Sequence, residues 1–189
     1  MLELLNTVAT VGTFIVIAAT AVAAVLQLRH MRASNQFEAI QYAAEAQREP
    51  TMQRAIQFVM QELAAHLEDE AFRAEIEKRD LNPETHPERL VCNFHELMGS
   101  YIYHRLIPFD IYMDIVAVFP HEVWHALEPY IAIRRQLSDH PEALYEHFEW
   151  LAVKSSTYTK NGRGVLYGKF KRLPVHNRWA NEIPKNEEA

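Results

Sequence analysis

The first strong pattern along the chain is an uncharged run. Leu4 to Leu28 holds 25 residues without a formal charge, and its centre, Phe14 to Leu26, is almost wholly apolar. About 20 apolar residues at 1.5 Å per residue cross a hydrocarbon core of roughly 30 Å. Lipid offers no partner to a backbone amide, so such a run must be helical. Thr7, Thr10, Thr13 and Thr20 are tolerable within it, because a threonine hydroxyl can bond back to its own helix. A cleaved signal peptide is the competing reading. It needs a basic start and an apolar stretch of about 7–15 residues. Met1-Leu2-Glu3 has no basic side chain and the run is too long, although Ala21-Val22-Ala23 resembles a cleavage site. A retained anchor over residues 1–28 is therefore expected.

Beyond Leu28 the pattern changes to amphipathic stripes. Residues 29–49 lack proline and glycine, and Phe37, Ile40 and Ala44 share a helical face. One helix should run from the anchor to Pro50, which disfavours helix in the residue before it. Met52, Ile56, Val59, Met60, Leu63 and Leu67 form the next stripe, which Phe72 and Ile76 extend. Asn82-Pro83 and His86-Pro87 mark a connection. Leu90, Val91, Phe94, Leu97, Met98, Tyr101, Ile102 and Leu106 then give the strongest stripe, a central core helix that Pro108 ends. A short helix after Asp110 is read from Ile111, Ile115, Val118 and Phe119. Pro120 opens another, with Trp124, Leu127, Ile131 and Leu137, which Pro129 should kink or interrupt. Asp139-His140-Pro141 predicts the start of a last helix carrying Leu144, Phe148, Leu151 and Ala152. Past Ser155 the periodicity stops. The expected fold is all-α: an N-terminal transmembrane helix followed by a small cytoplasmic helical domain of five or six helices over residues 29–153, then a tail over 154–189.

Composition supports helices. The chain has five glycines, three of them at 162, 164 and 168, so residues 29–160 are poor in the turns that strand-rich folds need. A single cysteine, Cys92, fits a buried small hydrophobe in a reducing compartment. Charge is uneven. The formal net charge is −6, yet residues 154–189 carry +5, leaving −11 on residues 1–153. Arg29, His30 and Arg32 follow the run and nothing basic precedes it. The positive-inside rule then puts the N-terminus outside and the domain in the cytoplasm, at the inner (cytoplasmic) membrane. Lys160, Arg163, Lys169, Lys171 and Arg172 alternate with Tyr158, Tyr167 and Phe170. A solvated or packed tail is the plain reading. Anionic lipid headgroups come next, because the anchor already supplies a bilayer. Nucleic acid is not expected.

Chemistry centres on His121-Glu122-Val123-Trp124-His125. Two histidines one turn apart can bind zinc, with the glutamate as general base toward a metal-bound water. Glu146, 21 residues past His125, is the candidate third ligand. Pro120 puts His121 in a first helical turn rather than mid-helix, and Pro129 shortens the support behind His125. A surface first turn with Trp124 as core anchor is therefore preferred to a metal site. His95-Glu96, with His104 further on, lies beside the central stripe. A partly buried Glu96 needs a partner, and Arg134 or Arg135 is the expected one. No phosphate-binding loop, nucleotide fingerprint or nucleophile elbow occurs around Ser100, Ser138, Ser155, Ser156 or Cys92.

One ordered set of features carries a resemblance. It comprises the span, the basic exit Leu28-Arg29-His30-Met31-Arg32, Phe94-His95-Glu96-Leu97, Trp124, Arg134-Arg135, and Tyr145-Glu146-His147-Phe148-Glu149-Trp150-Leu151. Over residues 1 to about 153 the chain resembles domain-of-unknown-function family 4760, bacterial single-pass membrane proteins. The resemblance implies that Trp124 sits in core packing and that its flanking histidines are incidental. It implies no activity. The functional expectation is a membrane-anchored, non-enzymatic interaction, scaffold or accessory module. Its partners would be the lipid bilayer and a protein or a second copy. The alternative is a zinc-dependent hydrolase on His121, His125 and Glu146 with Glu122 as base. No residue is assigned as catalytic, cofactor-binding or metal-ligating.

Overall fold

A computed structural model describes residues 1–78, 81–82 and 84–158. Eight helices follow one another in these residues: α1 Leu2–Arg48, α2 Pro50–Gln61, α3 Leu63–His66, α4 Glu70–Ile76, α5 Glu88–Tyr103, α6 Phe109–Val116, α7 Phe119–Gln136 and α8 Glu146–Tyr158. The described part is all-α, as the stripes predict. Pro83 and the basic positions from Lys160 onward lie outside the described residues.

α1 is long and apolar enough to cross a membrane, and none of its apolar window is buried by the rest of the chain. The hydroxyls of Thr7, Thr10, Thr13 and Thr20 each donate to the carbonyl four residues earlier, at 2.8–2.9 Å. Helix α1 continues unbroken to Arg48, and Glu49 turns extended ahead of Pro50. The Glu49 carboxylate then accepts the Thr51 amide and caps α2. The face α1 presents to the domain is set one position away from the predicted one. Ala39, Ile40, Ala43 and Ala46 pack, whereas Phe37 is exposed. Small side chains let α1 approach closely, and a phenylalanine in that row would hold it off.

Helix α5 is the centre of the bundle, with its most extensive contact to α8 and a further one to α2, while α7 closes over α8. Val91, Cys92 and Met98 of α5, Val123, Leu127 and Tyr130 of α7, and Phe148 and Leu151 of α8 are fully buried. At Gly99 the helices touch so closely that an added Cβ would collide with the His147 carbonyl group. Glycine is required there for contact, not for backbone freedom.

Seven helices follow α1 in the described residues where five or six are expected, the extra ones being the short α3 and α4, and four further features depart from the sequence pattern. Pro129 does not interrupt α7, which continues past it to Gln136. Loss of one helix bond is offset because Leu127, Tyr130 and Ile131 around it are all buried. The last helix begins at Glu146, not at Asp139-His140-Pro141, since residues 141–145 form turns ending in Tyr145 at φ 60°. Residues 154–158, assigned by periodicity to the tail, belong to α8, and Ser155 is buried. Finally, Leu106, Ile111 and Ile115 lie in or beside predicted stripes yet are 54%, 47% and 59% exposed. The chain leaves α5 at Arg105, φ 60°, and α6 buries Tyr112 and Met113 instead.

Gly99→Ala should destabilise the protein by about 1–3 kcal/mol or more, the usual cost of overpacking. Gly12→Ala, with nothing within 4 Å of the added carbon, should leave stability unchanged. Paired thermal melts in detergent check both.

Candidate functional site

The two histidines of the zinc-like motif do adjoin. His121 lies in the first turn of α7, just after Pro120, and its ring centroid is 4.4 Å from that of His125. The third ligand is not supplied. Glu146 heads α8, is mostly exposed, and has His147 at 3.9 Å as its ionic neighbour. Glu122 is exposed, and His125 lies 3.5 Å from Glu128 across open surface. Among the described residues no three His, Cys, Asp or Glu side chains are grouped to hold a metal ion. Trp124 between the histidines packs edge-on against Phe148 at 5.0 Å, and the Arg135 guanidinium sits 5.5 Å from its ring.

Glu96 has a different partner from the expected arginines. Its carboxylate accepts the Phe148 amide at 2.9 Å, the His147 amide at 3.4 Å, and stands 3.0 Å from His147 Nδ1. An acid at the first turn of α8 satisfies amides that have no helical acceptor and meets the positive end of the helix dipole. Both arginines cap other segments. Arg134 donates to the Ile76 and Lys78 carbonyls at the end of α4. Arg135 donates to the Leu144 carbonyl and to Glu149. His104 borders His147 at 6.1 Å between ring centroids.

His95 is a core residue. Its ring stacks on Phe148 at 4.8 Å and its Nδ1 donates to the Val91 carbonyl at 2.9 Å. Burial lowers its pKa to about 4, against a smaller upward pull from the Val91 bond.

The densest group of titratable side chains is one that periodicity does not reveal. His86 is 2% exposed and bridges two carboxylates. Its Nδ1 lies 2.8 Å from Glu88 Oε1 and its Nε2 3.2 Å from Glu75 Oε2. Glu88 is fully buried, while Glu75 is about half exposed. The chain Glu75–His86–Glu88 thus runs from surface to core. Burial pushes the Glu88 carboxyl up, and bonds from its own backbone and from His86 pull it partly back. Among the described residues Glu88 Oε2 and the Tyr130 hydroxyl have no hydrogen-bond partner. Tyr145 lies close by, its hydroxyl pushed up to about 12 chiefly by burial. Such an arrangement can hold a proton out of water and pass it between carboxylate and imidazole. In the sequence, only His86-Pro87-Glu88 hinted at it, and that triplet reads equally as a connection into a helix.

Stability should report both buried groups. Unfolded His95 takes up a proton near pH 6.5, but the folded state resists until about 4. Stability is therefore lost as pH falls from 6.5 to 4, by up to about 3 kcal/mol. Glu88 acts in the opposite sense: its folded pKa lies above the ordinary value of 4.5, so its contribution falls as pH rises past that value. His95→Gln should flatten the acid limb of a melting-temperature profile. Glu88→Gln should gain on the parent as pH rises. Parallel pH profiles of the three proteins check this.

No curated protein and no solved structure matches the chain. A family model described as a domain of unknown function, DUF4760, matches residues 14–155. The matched stretch begins within the apolar part of α1 and ends at the buried Ser155 of α8. It contains Glu96, Trp124, Arg135 and Phe148, which join α5, α7 and α8, and Arg134, which ties α7 to the end of α4. It covers well over half of the sequence, and the chain belongs to the DUF4760 family.

Proposed function

We propose that the chain is a membrane-tethered interaction module. The supporting observation is α1 itself. A single helix of 47 residues is apolar and uncovered over its first part and packed into the domain over its last turns. A helix of that length spans about 70 Å. It would cross the inner membrane with its N-terminus outside and hold α2–α8 on the cytoplasmic side, where Arg29 and Arg32 favour retention. With no hinge between them, span and domain would move as one piece, as suits a scaffold or accessory subunit.

A binding surface for a protein partner is at hand beside α1. An apolar groove of about 450 Å³ is lined by Tyr42, Ala46, Met52, Leu90, Phe94 and Leu97. Anionic headgroups are a further partner for the basic positions from Lys154 to Arg178, which follow or lie within α8's last turns.

Cys92 is fully buried, so an introduced cysteine is the reactive one. Full-length Glu142→Cys should stay with membranes after alkaline carbonate washing. It should react with an impermeant maleimide only after the inner membrane is opened. Reaction in intact spheroplasts would reverse the orientation, and release by carbonate would remove the tether. If the groove is the protein-binding surface, Leu90→Glu should abolish cross-linking from a photoreactive group at position 42 while preserving the melt. Unchanged cross-linking would exclude the groove.

A further inference from the structure

Two grooves give the direction of α5 relative to α1. In one, Tyr42, Ala46 and Met52 face Leu90, Phe94 and Leu97. In the other, Asn35, Ala39 and Tyr42 face Tyr101 and Leu106. Rising numbers on α5 meet falling numbers on α1. Helix α5 therefore runs antiparallel to α1, and its C-terminal end climbs back toward the uncharged run. Helix α8 follows α5 in the same direction: His147 lies at Gly99 and Trp150 against Tyr103. At its end the Tyr158 hydroxyl donates to the Asp110 carbonyl and to Asp114 of α6. The corner where α5 passes into α6 is thus the end of the domain nearest the span.

That corner is apolar on the outside. Leu106 is 54% exposed just ahead of α6, and Ile111 and Ile115, one turn apart on α6, are 47% and 59% exposed. Scattered exposed aliphatic residues are ordinary. Three at the end of the domain that points toward the span are not scattered. Cations are present as well: Arg105 and Lys154 line a pocket there with Tyr103 and Phe109. Acidic groups are there too: Asp110 and Asp114 on α6, the latter accepting the Tyr158 hydroxyl, and Glu38 beside Leu106 in the second groove. Charges of both signs border the corner, so its affinity for the bilayer interface would come from the exposed apolar side chains.

The distances close at the near end of the range, with tilt supplying the remainder. Leu106 lies level with Asn35 to Tyr42, about 10–20 Å along α1 from Leu28 at 1.5 Å per residue. The headgroup layer adds about 5–8 Å beyond the hydrocarbon edge. Spanning helices tilt by about 20° on average, which lowers one side of an attached domain.

We propose that Leu106, Ile111 and Ile115 seat the α5–α6 corner on the surface of the bilayer that α1 crosses. The domain is then held at two points, one through the membrane and one upon it. This rests on the reading of α1 as a membrane span. Two-point seating fixes the domain's rotation about α1, so the Tyr42–Leu97 groove faces along the membrane in a constant direction.

The test uses the full-length protein in liposomes with a small polarity-sensitive fluorophore on single introduced cysteines. Positions are Ile111→Cys and Ile115→Cys at the corner, Ala18→Cys within the run, and Glu84→Cys at the far end of α5. Quenchers are carried on lipid acyl chains at two depths, close to the headgroups to read the corner labels and near the chain ends to read Ala18. The corner labels should be blue-shifted and quenched about twofold or more, and the Glu84 label neither. In an Ile111→Glu, Ile115→Glu protein labelled at Leu106→Cys, quenching should disappear while helical content stays. Quenching at Ala18 without quenching at the corner would overturn the seating and leave the anchor intact. A blue-shifted but unquenched corner would overturn it in favour of a protein cover or a second copy. Absence of quenching at Ala18 would sink the anchor itself, and the seating with it.

Discussion

The body of this protein depends on how the Glu96 carboxylate meets the start of α8. Two amides of α8 point at it, and no helical carbonyl is available to them. Gly99, one turn further along α5, removes the Cβ that would otherwise strike His147. The carboxylate and the missing side chain together set the position of Phe148. Phe148 then serves as a common wall, with His95 stacked on one side and Trp124 edge-on on another. Trp124 brings α7 and Arg135, and Arg135 ties down the carbonyl of Leu144 in the turn before α8. Residues that look chemical by type are here structural joints. Carboxylate and guanidinium satisfy backbone groups left open at the start of α8, in the turn before it and at the end of α4.

The Glu75–His86–Glu88 chain is of another kind. A fully buried carboxylate is costly unless it is paired, and Glu88 is paired on only one oxygen among the described residues. The Tyr130 hydroxyl, also in the core, shares that condition. A purely structural core would be better served by apolar side chains of the same volume. The geometry keeps a titratable group in the core, connected to the surface through one imidazole. It lies near the start of α5, at the end remote from the proposed bilayer contact.

Mechanically the molecule is a rod with a bundle folded back along its lower part. Helix α1 descends, α5 and α8 return, and α6 lies across the returning ends. An antiparallel return is what places a short helix, with Ile111 and Ile115 exposed, at the end of the bundle that points toward the uncharged run of α1. Among the described residues the exposed isoleucines of α6 have no packing role, whereas Tyr112 and Met113 on the same helix have one.

The sequence by itself determined what depends on local composition. A long uncharged run can only be helix in an apolar medium, and stripes of period 3.6 with few glycines can only build helices that pack on one face. Hence the all-α class, the unbroken passage of α1 toward Pro50 and the central place of α5 were legible. The family resemblance was legible too, in Phe94-His95-Glu96-Leu97 and the Tyr145–Leu151 segment. What the pattern could not decide was anything resting on residues far apart in the chain. Glu96 is 51 positions from its partner His147, and Arg134 is 58 from the carbonyl of Ile76. Pattern alone put an arginine beside Glu96, because charge type is local while the unfilled amides of α8 exist only once α8 has docked. The same holds for Leu106, Ile111 and Ile115. Periodicity marks a residue as apolar, but only the packed fold decides whether a neighbouring helix is there to cover it.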